Sequence, residues 1–337
     1  MGLSDFRFRP RLAESLRLFA IFSLCFLFFQ GESFAQSDSA FPTKPITLIV
    51  TYPTGGGADT MARLIAPKMA EQLGQSVVVE NRPGASGQIG AALVARAPAD
   101  GYTIMLDASS FAVNPSLYPK LPYDSLKAFR PIGIIALFPN VVLVNAAFPP
   151  QQITDLITSA KKAKDSVAFA SSGNGSAQHL AGALFESATG VEMLHVPYKG
   201  GGPALVDVIS GQVPVFFGNL ASTLAHIQSG KLRALAVTSA KRSPLLPNTP
   251  TLLEVGIKGA EIHEWNAVFV PAATSEAVTN KLAAAFQHAL NSQEVKSRIA
   301  QLGGDIQRSS PEQAKKFIEQ QVNLWGKVIK ERGISAE

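Results

Sequence analysis

The 337-residue sequence holds one cysteine, Cys25, and that residue falls in an N-terminal segment with the features of a leader. A processed chain without cysteine forms no disulfide and performs no thiol catalysis, so its core must carry its stability unaided. That absence argues for a bacterial-type envelope protein rather than a small secreted scaffold. Long blocks of one charge are also missing: the densest basic run is Lys161-Lys162-Ala-Lys164, which reads as a solvated helix face. The formal net charge is +5, of which residues 1–35 carry +1 through four arginines against three acids, leaving +4. Such a mild positive balance helps to steer anions but is no footprint of nucleic-acid binding.

No apolar run reaches the roughly 20 residues that a spanning helix needs. The longest, from Leu18 to Phe29, follows Arg7, Arg9, Arg11 and Arg17 and precedes Ser33-Phe-Ala35. This is the layout of a secretory signal peptide cleaved near Ala35, and it predicts a periplasmic protein. Leu24 ahead of Cys25 is not the small residue that lipid attachment wants.

Several catalytic and cofactor signatures are absent as well. The dinucleotide fingerprint fails because Thr60 stands where a third glycine should follow Gly55 and Gly57, and no Gly-Lys-Ser/Thr closes a P-loop. Ser86 and Ser176 lack the paired glycines of a nucleophile elbow, and no carboxylate pair suggests acid/base work. The histidines His179, His195, His226, His263 and His288 have no metal spacing; His263-Glu264 lacks the second histidine of a zincin helix. No catalytic residue, metal or cofactor is therefore expected.

What the sequence does contain is a set of glycine- and serine-rich joints between apolar runs and amphipathic ones. Tyr52-Pro-Thr-Gly-Gly-Gly-Ala-Asp59 follows the run at 46–50. A bare-backbone loop opening a helix aims unpaired N–H groups and the positive dipole end at one point, which favours an anion such as a carboxylate or phosphate; the alternative is a tight turn that needs only positive φ. Ser109-Ser-Phe-Ala-Val-Asn114 and Ser171-Ser-Gly-Asn-Gly-Ser176 offer hydroxyls and N–H groups without charge, as ligand contacts or as plain caps. His195-Val-Pro-Tyr-Lys-Gly-Gly-Gly202 brings Lys199, a cation to face an anionic ligand or an exposed lysine that is only solvated, and Phe216-Phe-Gly-Asn-Leu220 leaves Asn219 either on ligand or as a helix cap. His179 lies in the first turn of the helix after Ser176, on ligand or structural. Asp59 reads as a brace for its loop, or as a partner for an ammonium or hydroxyl.

Periodicity predicts strands over 46–51, 77–80, 103–106, 132–136, 141–144, 168–170, 193–196, 215–217, 232–237 and 268–270. Helices are expected over 60–73, 87–96, 153–164, 177–189, 204–210, 220–228, 276–291, 294–302 and 311–331. This alternation means an α/β fold with largely parallel sheets. No internal repeat or linker appears, yet one core rarely serves about 300 residues, so two lobes with a cleft between them are expected. The runs 132–137 and 141–144, broken at Pro139-Asn140, carry the chain between them. The division is residues 36–140 with 259–337 in one lobe, the helix-rich tail packing back, and 141–258 in the other.

Taken in order, Tyr52-Pro-Thr-Gly-Gly-Gly-Ala-Asp59, Glu80-Asn-Arg-Pro-Gly-Ala-Ser-Gly87, Pro98-Ala-Asp-Gly-Tyr102, Asn114-Pro-Ser-Leu-Tyr118, Ser172-Gly-Asn-Gly-Ser176, Val196-Pro-Tyr-Lys-Gly200, Gly230-Lys-Leu-Arg-Ala-Leu-Ala-Val237 and Leu246-Pro-Asn-Thr-Pro-Thr251 resemble the extracytoplasmic solute receptors of tripartite tricarboxylate transporters, the Bug family. The resemblance implies a two-lobed, type II-like periplasmic binding protein that closes on a small carboxylate and delivers it to membrane permease subunits, as a monomer and without nucleic acid. A receptor presenting its ligand to a membrane sensor is the alternative, with a periplasmic hydrolase behind it. The ligand residues implied are Tyr52, Thr54, Gly56, Gly57 and Asp59 on one jaw. Ser172, Gly173, Ser176, Tyr198, Lys199 and Gly200 form the other; the composition of the remaining joints, apart from the resemblance, adds Ser109, Ser110, Asn114, His179 and Asn219 as candidates. Two departures stand out. Trp265-Asn-Ala267 replaces an expected Trp-x-Gly, and Phe111 takes the place of a smaller or polar residue, either stacking on a ligand or pointing into the core.

Overall fold

A computed structural model describes residues 41–335; the leader reading falls outside them. The chain divides into two units, residues 1–41 and 42–337, and the second unit holds every element that follows. Its order is β1 (Ile46–Val50), α1 (Gly57–Leu73), β2 (Val77–Asn81), a single 3-10 turn (Ala85–Gly87), α2 (Gln88–Ala95), β3 (Thr103–Ala108), α3 (Ser110–Leu117) and β4 (Phe129–Asn145). There follow α4 (Ile153–Ala160), β5 (Ala168–Ser171), α5 (Ala177–Thr189), β6 (Leu194–Pro197), α6 (Gly201–Ser210), β7 (Val215–Asn219), α7 (Leu220–Gln228) and β8 (Leu232–Val237). The chain closes with β9 (His263–Pro271), α8 (Glu276–Asn291), α9 (Gln293–Gln301), β10 (Asp305–Ile306) and α10 (Pro311–Arg332).

The strands run β2-β1-β3-β9-β4-β7-β5-β6, with β8 and β10 also on β4. The expectation of largely parallel sheets holds only at the two ends: β2-β1-β3 and β6-β5-β7 are parallel, whereas β9 pairs antiparallel with β3 and β4, and β4 pairs antiparallel with β7, β8 and β10. Helical crossovers link the parallel strands, as they must; β9 is entered from β8 through residues 238–262 without a helix and pairs antiparallel between β3 and β4, and strand-helix alternation does not disclose that.

Two further expectations change. The break expected at Pro139-Asn140 is absent, since β4 is one strand of 17 residues. Its first part pairs with β9 up to Pro139, and its second part with β7 from Asn140 onward. Pro139 has no N–H to lose, and the Asn140 N–H donates to Thr238 Oγ1 at 2.9 Å, so the handover leaves no backbone donor stranded. Residues 110–117 form α3 rather than an open loop. Phe111, Ala112, Val113 and Leu117 are all buried, and that burial outweighs the Ser-Ser and Asn-Pro punctuation.

β1 is a nearly continuous apolar run, Ile46-Thr-Leu-Ile-Val50, and is buried along almost its whole length. The helix N-termini are set by side-chain caps where sequence supplies them: Ser176, Asn219, Ser275, Ser292 and Ser310 each accept a first-turn N–H. Helix α8 lies on α1, and α10 lies on α3 and β4.

Candidate functional site

Five strands end in joints that open helices: β1 into α1, β3 into α3, β5 into α5, β6 into α6 and β7 into α7. Parallel pairing puts the β1 and β3 joints at one sheet edge and the β5, β6 and β7 joints at another. The two edges meet. A Cβ built on Gly175, in the β5 joint, would lie 2.2 Å from Leu117 and 3.4 Å from Val113 of α3, and with φ at +71° only glycine fits there comfortably. Glu264 of β9 is bonded from both the β5 and β7 sides.

At the β1 joint, Gly55, Gly56 and Gly57 are exposed, Gly55 has φ +85°, and α1 opens at Gly57 with no side-chain cap. The first N–H groups of α1 thus have neither intrahelical acceptor nor cap. Asp59 is buried beneath them as the brace. Its carboxylate accepts the Gly55 N–H at 2.9 Å, Arg63 Nε at 2.9 and 3.0 Å, and Asn81 Nδ2 at 3.0 Å. Burial pushes this carboxyl up, but the bonds from Arg63, Gly55 and Asn81 prevail and hold it below its usual value. Asn81 also donates to the Tyr52 carbonyl at 2.9 Å and accepts Thr54 Oγ1 at 3.2 Å.

The Tyr52 hydroxyl bonds Ser110 Oγ, which joins the β1 and β3 joints. Burial and the neighbouring Asp107 raise the phenol well above its ordinary value. Asp107 is wholly buried: Oδ1 accepts Thr51 Oγ1 at 2.9 Å and the Ala108 N–H at 2.7 Å. Burial pushes its carboxyl up to about 7 against the pull of Ala108, Thr51 and Tyr52. Ser109 is buried and Asn114 turns away from the joints, donating to the Ser86 carbonyl at 2.9 Å. Phe111 belongs to the core, with ring centroids 4.5 Å from Phe269 and 5.6 Å from Phe129.

The β5 joint is held by rings. His179 and His195 stack with centroids 3.8 Å apart and planes 8° from parallel, and Phe169 lies against the other face of His195 at 5.0 Å. The Gly175 N–H donates to His179 Nδ1 at 3.1 Å, which assigns the imidazole proton to Nε2. Burial drives both imidazoles down, His179 to about 3 with help from His195, and His195 to about 4, so both are neutral. Ser171 Oγ lies 2.6 Å from His195 Nε2, the spacing of a nucleophile and its base. Ser171 is wholly buried, however, and accepts the Gly173 N–H at 3.1 Å; among the described residues no carboxylate bonds His195. This pair organises the loop. Ser176 Oγ caps α5 through the His179 N–H.

At the β6 joint the Tyr198 hydroxyl donates to Asp207 at 2.7 Å, and burial with that bond raises it to about 12. The two loops are stitched together: the Tyr198 N–H donates to the Ser171 carbonyl and the Gly200 N–H to that of Ser172. Gly173 approaches Tyr198 so closely that a Cβ would sit 3.0 Å from its carbonyl oxygen. Lys199 is exposed. Asn219 is committed at both ends, Oδ1 to the Ala221 N–H at 2.8 Å and Nδ2 to Glu264 Oε2 at 3.0 Å.

Sequence reasoning passed over Asn81, Arg63, Asp107, Ser171, Gln178 and Glu264. Asn81 closes a strand inside Glu80-Asn-Arg-Pro83, and Glu264 is a lone acid beside the buried Trp265; polar residues at such places were the available signal. Two surface hollows of about 560 and 650 Å³ open beyond α3 and over α2, lined by none of the joint residues. Among the described residues no group of three or more His, Cys, Asp or Glu is placed to hold a metal ion.

Residues 61–334 match the family model described as tripartite tricarboxylate transporter family receptor. The chain is 37% identical to Protein BugT of Bordetella pertussis over 319 residues, 94% of this chain and 98% of that one. Among solved structures it is similar to the periplasmic binding protein BugD, with a TM-score of 0.79 at 38% identity over 88% of this chain and 99% of that one. It is similar also to R. palustris Rpa4515 with adipate, with a TM-score of 0.81 at 36% identity over 88% and 99%. The fold is thus the two-lobed α/β fold of periplasmic binding proteins, and these relatives are solute-binding receptors rather than enzymes.

Proposed function

The chain belongs to the tripartite tricarboxylate transporter family of receptors, and from that premise we propose that it captures a small organic carboxylate where its five joints meet and delivers it to membrane permease subunits. The observation that carries this reading is the uncapped start of α1, where Gly55 to Gly57 expose their backbone over the Asp59 brace. A carboxylate accepting several N–H bonds is stabilised without a fixed counter-charge. Adipate in Rpa4515 supports the ligand class.

Tyr52, Thr54, Gly56 and Gly57 form one jaw in this reading, with Ser110 beside Tyr52. Ser172, Gly173, Ser176, His179, Lys199 and Gly200 form the other. Asp59, Asn219 and Tyr198 act through the groups they hold in place. The lobes are residues 36–140 with 259–337, and 141–258; residues 1–35 are the leader removed on export to the periplasm, where the receptor works as a monomer. No described helix is long and apolar enough to cross a membrane. Ligand that binds the closed form better shifts the population toward closure, and the permease reads that shape.

A thermal-shift panel of acetate, succinate, malate, adipate, citrate and benzoate tests the ligand class. At least one carboxylate should raise the melting temperature in a concentration-dependent way. A shift with neutral or cationic solutes alone would sink the reading.

A further inference from the structure

Glu264 is an acid placed at the meeting point of the joints. On β9 it stands opposite Phe138 of β4, and its charge acts on Tyr52 of the β1 joint. From the opposite side, Gln178 Nε2 in the first turn of α5 and Asn219 Nδ2 at the end of β7 donate to Oε2 at 3.2 and 3.0 Å. Both amides take the same oxygen, which leaves Oε1 for another partner, and Glu264 keeps part of its surface open. The groups that offset its burial are those two neutral amides; no described lysine or arginine is among them.

The titratable groups around it supply no cation either. Tyr52 of the β1 joint is a neutral phenol, and Asp107 of β3 is itself an acid. His179 of α5, His195 of β6 and His263 of β9 are pushed below their ordinary values by burial, with Asp305 opposing this at His263. Helix N-termini can hold one negative charge here. A carboxylate ligand and an ionised Glu264 would be two anions in one closed site, and like charges in such a site share a proton.

We propose that capture of a carboxylate takes up one proton from solvent, held on Oε1 of Glu264 and donated in a hydrogen bond to the ligand's carboxylate. This rests on the carboxylate reading above. Burial already pushes the Glu264 carboxyl upward before any ligand arrives. Asp107 is a poorer home for the proton because it is 0% exposed and its Oδ1 already serves Thr51 and Ala108.

The test is calorimetric titration of wild type and Glu264→Gln with the tightest-binding carboxylate of the panel, in phosphate and in Tris at pH 6, 7 and 8. Proton uptake by wild type should grow with pH toward one proton per ligand, and its affinity should weaken over the same range, toward about tenfold per pH unit. The introduced glutamine would accept both amides through its carbonyl and donate from its NH₂, so E264Q should melt like wild type. It should take up no proton on binding and show no weakening between pH 6 and pH 8. Wild-type binding without proton uptake would overturn the inference while leaving the carboxylate reading intact. Undiminished uptake by E264Q would overturn the assignment to Glu264. If no carboxylate binds, the function reading falls and this inference falls with it.

Discussion

Asn81 and Asp59 are 3.0 Å apart, amide Nδ2 donating to carboxylate Oδ1, and through this bond the end of β2 holds the start of α1. The pair is the hub of the glycine joint, since Asn81 also holds the Tyr52 carbonyl and Asp59 the Gly55 N–H.

Asp59→Ala should therefore destabilise the protein by about 1 kcal/mol, the net worth of hydrogen bonds whose donors water can partly reach, and weaken carboxylate binding with it. The folded carboxyl lies below its ordinary value of 3.8. Its contribution is present above that value and is lost as pH falls through the lower folded value. Urea unfolding should show the gap between wild type and D59A at pH 7 and a narrower gap at pH 3. An equal gap at both would remove the charge from the explanation.

The stacked histidines have folded values near 3 and 4, so the unfolded chain binds their protons first as pH falls below about 6.5. Both should oppose folding progressively through that window. In the folded protein the ring resonances of His179 and His195 should stay flat in an NMR titration from pH 8 to 5. Titration of either ring near 6.5 would contradict the buried neutral stack.

Phe111→Ala should cost about 3–5 kcal/mol, as truncation of a buried phenylalanine does, without altering the rank order of carboxylates in the thermal-shift panel. A reordered panel would place Phe111 against ligand.

Lys199→Ala should change stability by less than about 0.5 kcal/mol, as exposed substitutions do. If neutral donors hold the ligand, affinity should fall by less than about tenfold, with most of the loss in the association rate. A loss of a hundredfold or more in calorimetry would make Lys199 the counter-charge.

The strands and helices were largely legible because nearly every joint carries glycine, proline or serine, and β1, β8 and α5 begin close to where periodicity places them. Sheet direction was not legible. It depends on β9 inserting antiparallel between β3 and β4 and on β4 pairing antiparallel with β7, a choice made by long-range partners rather than by local pattern. The joints were readable for the same reason as the elements, but the division of labour inside them was not. Tyr198 and Asn219 look like free donors in sequence, yet Asp207 and Glu264 occupy them. Glu264 was hidden because its strand was read as 268–270 and stops short of it, whereas β9 begins at His263. Asp59 was readable as a brace because an acid in a first helical turn has a physical reason to be there.

The most direct measurement is a crystal structure of the processed protein with the strongest carboxylate of the panel. Its carboxylate oxygens should accept N–H bonds from Gly57 and Ala58 at the start of α1, with contacts from the Ser172–Ser176 and Tyr198–Gly200 joints opposite. A ligand seated in a hollow over α2 or α3, or gripped chiefly by an arginine or lysine, would contradict the assignment.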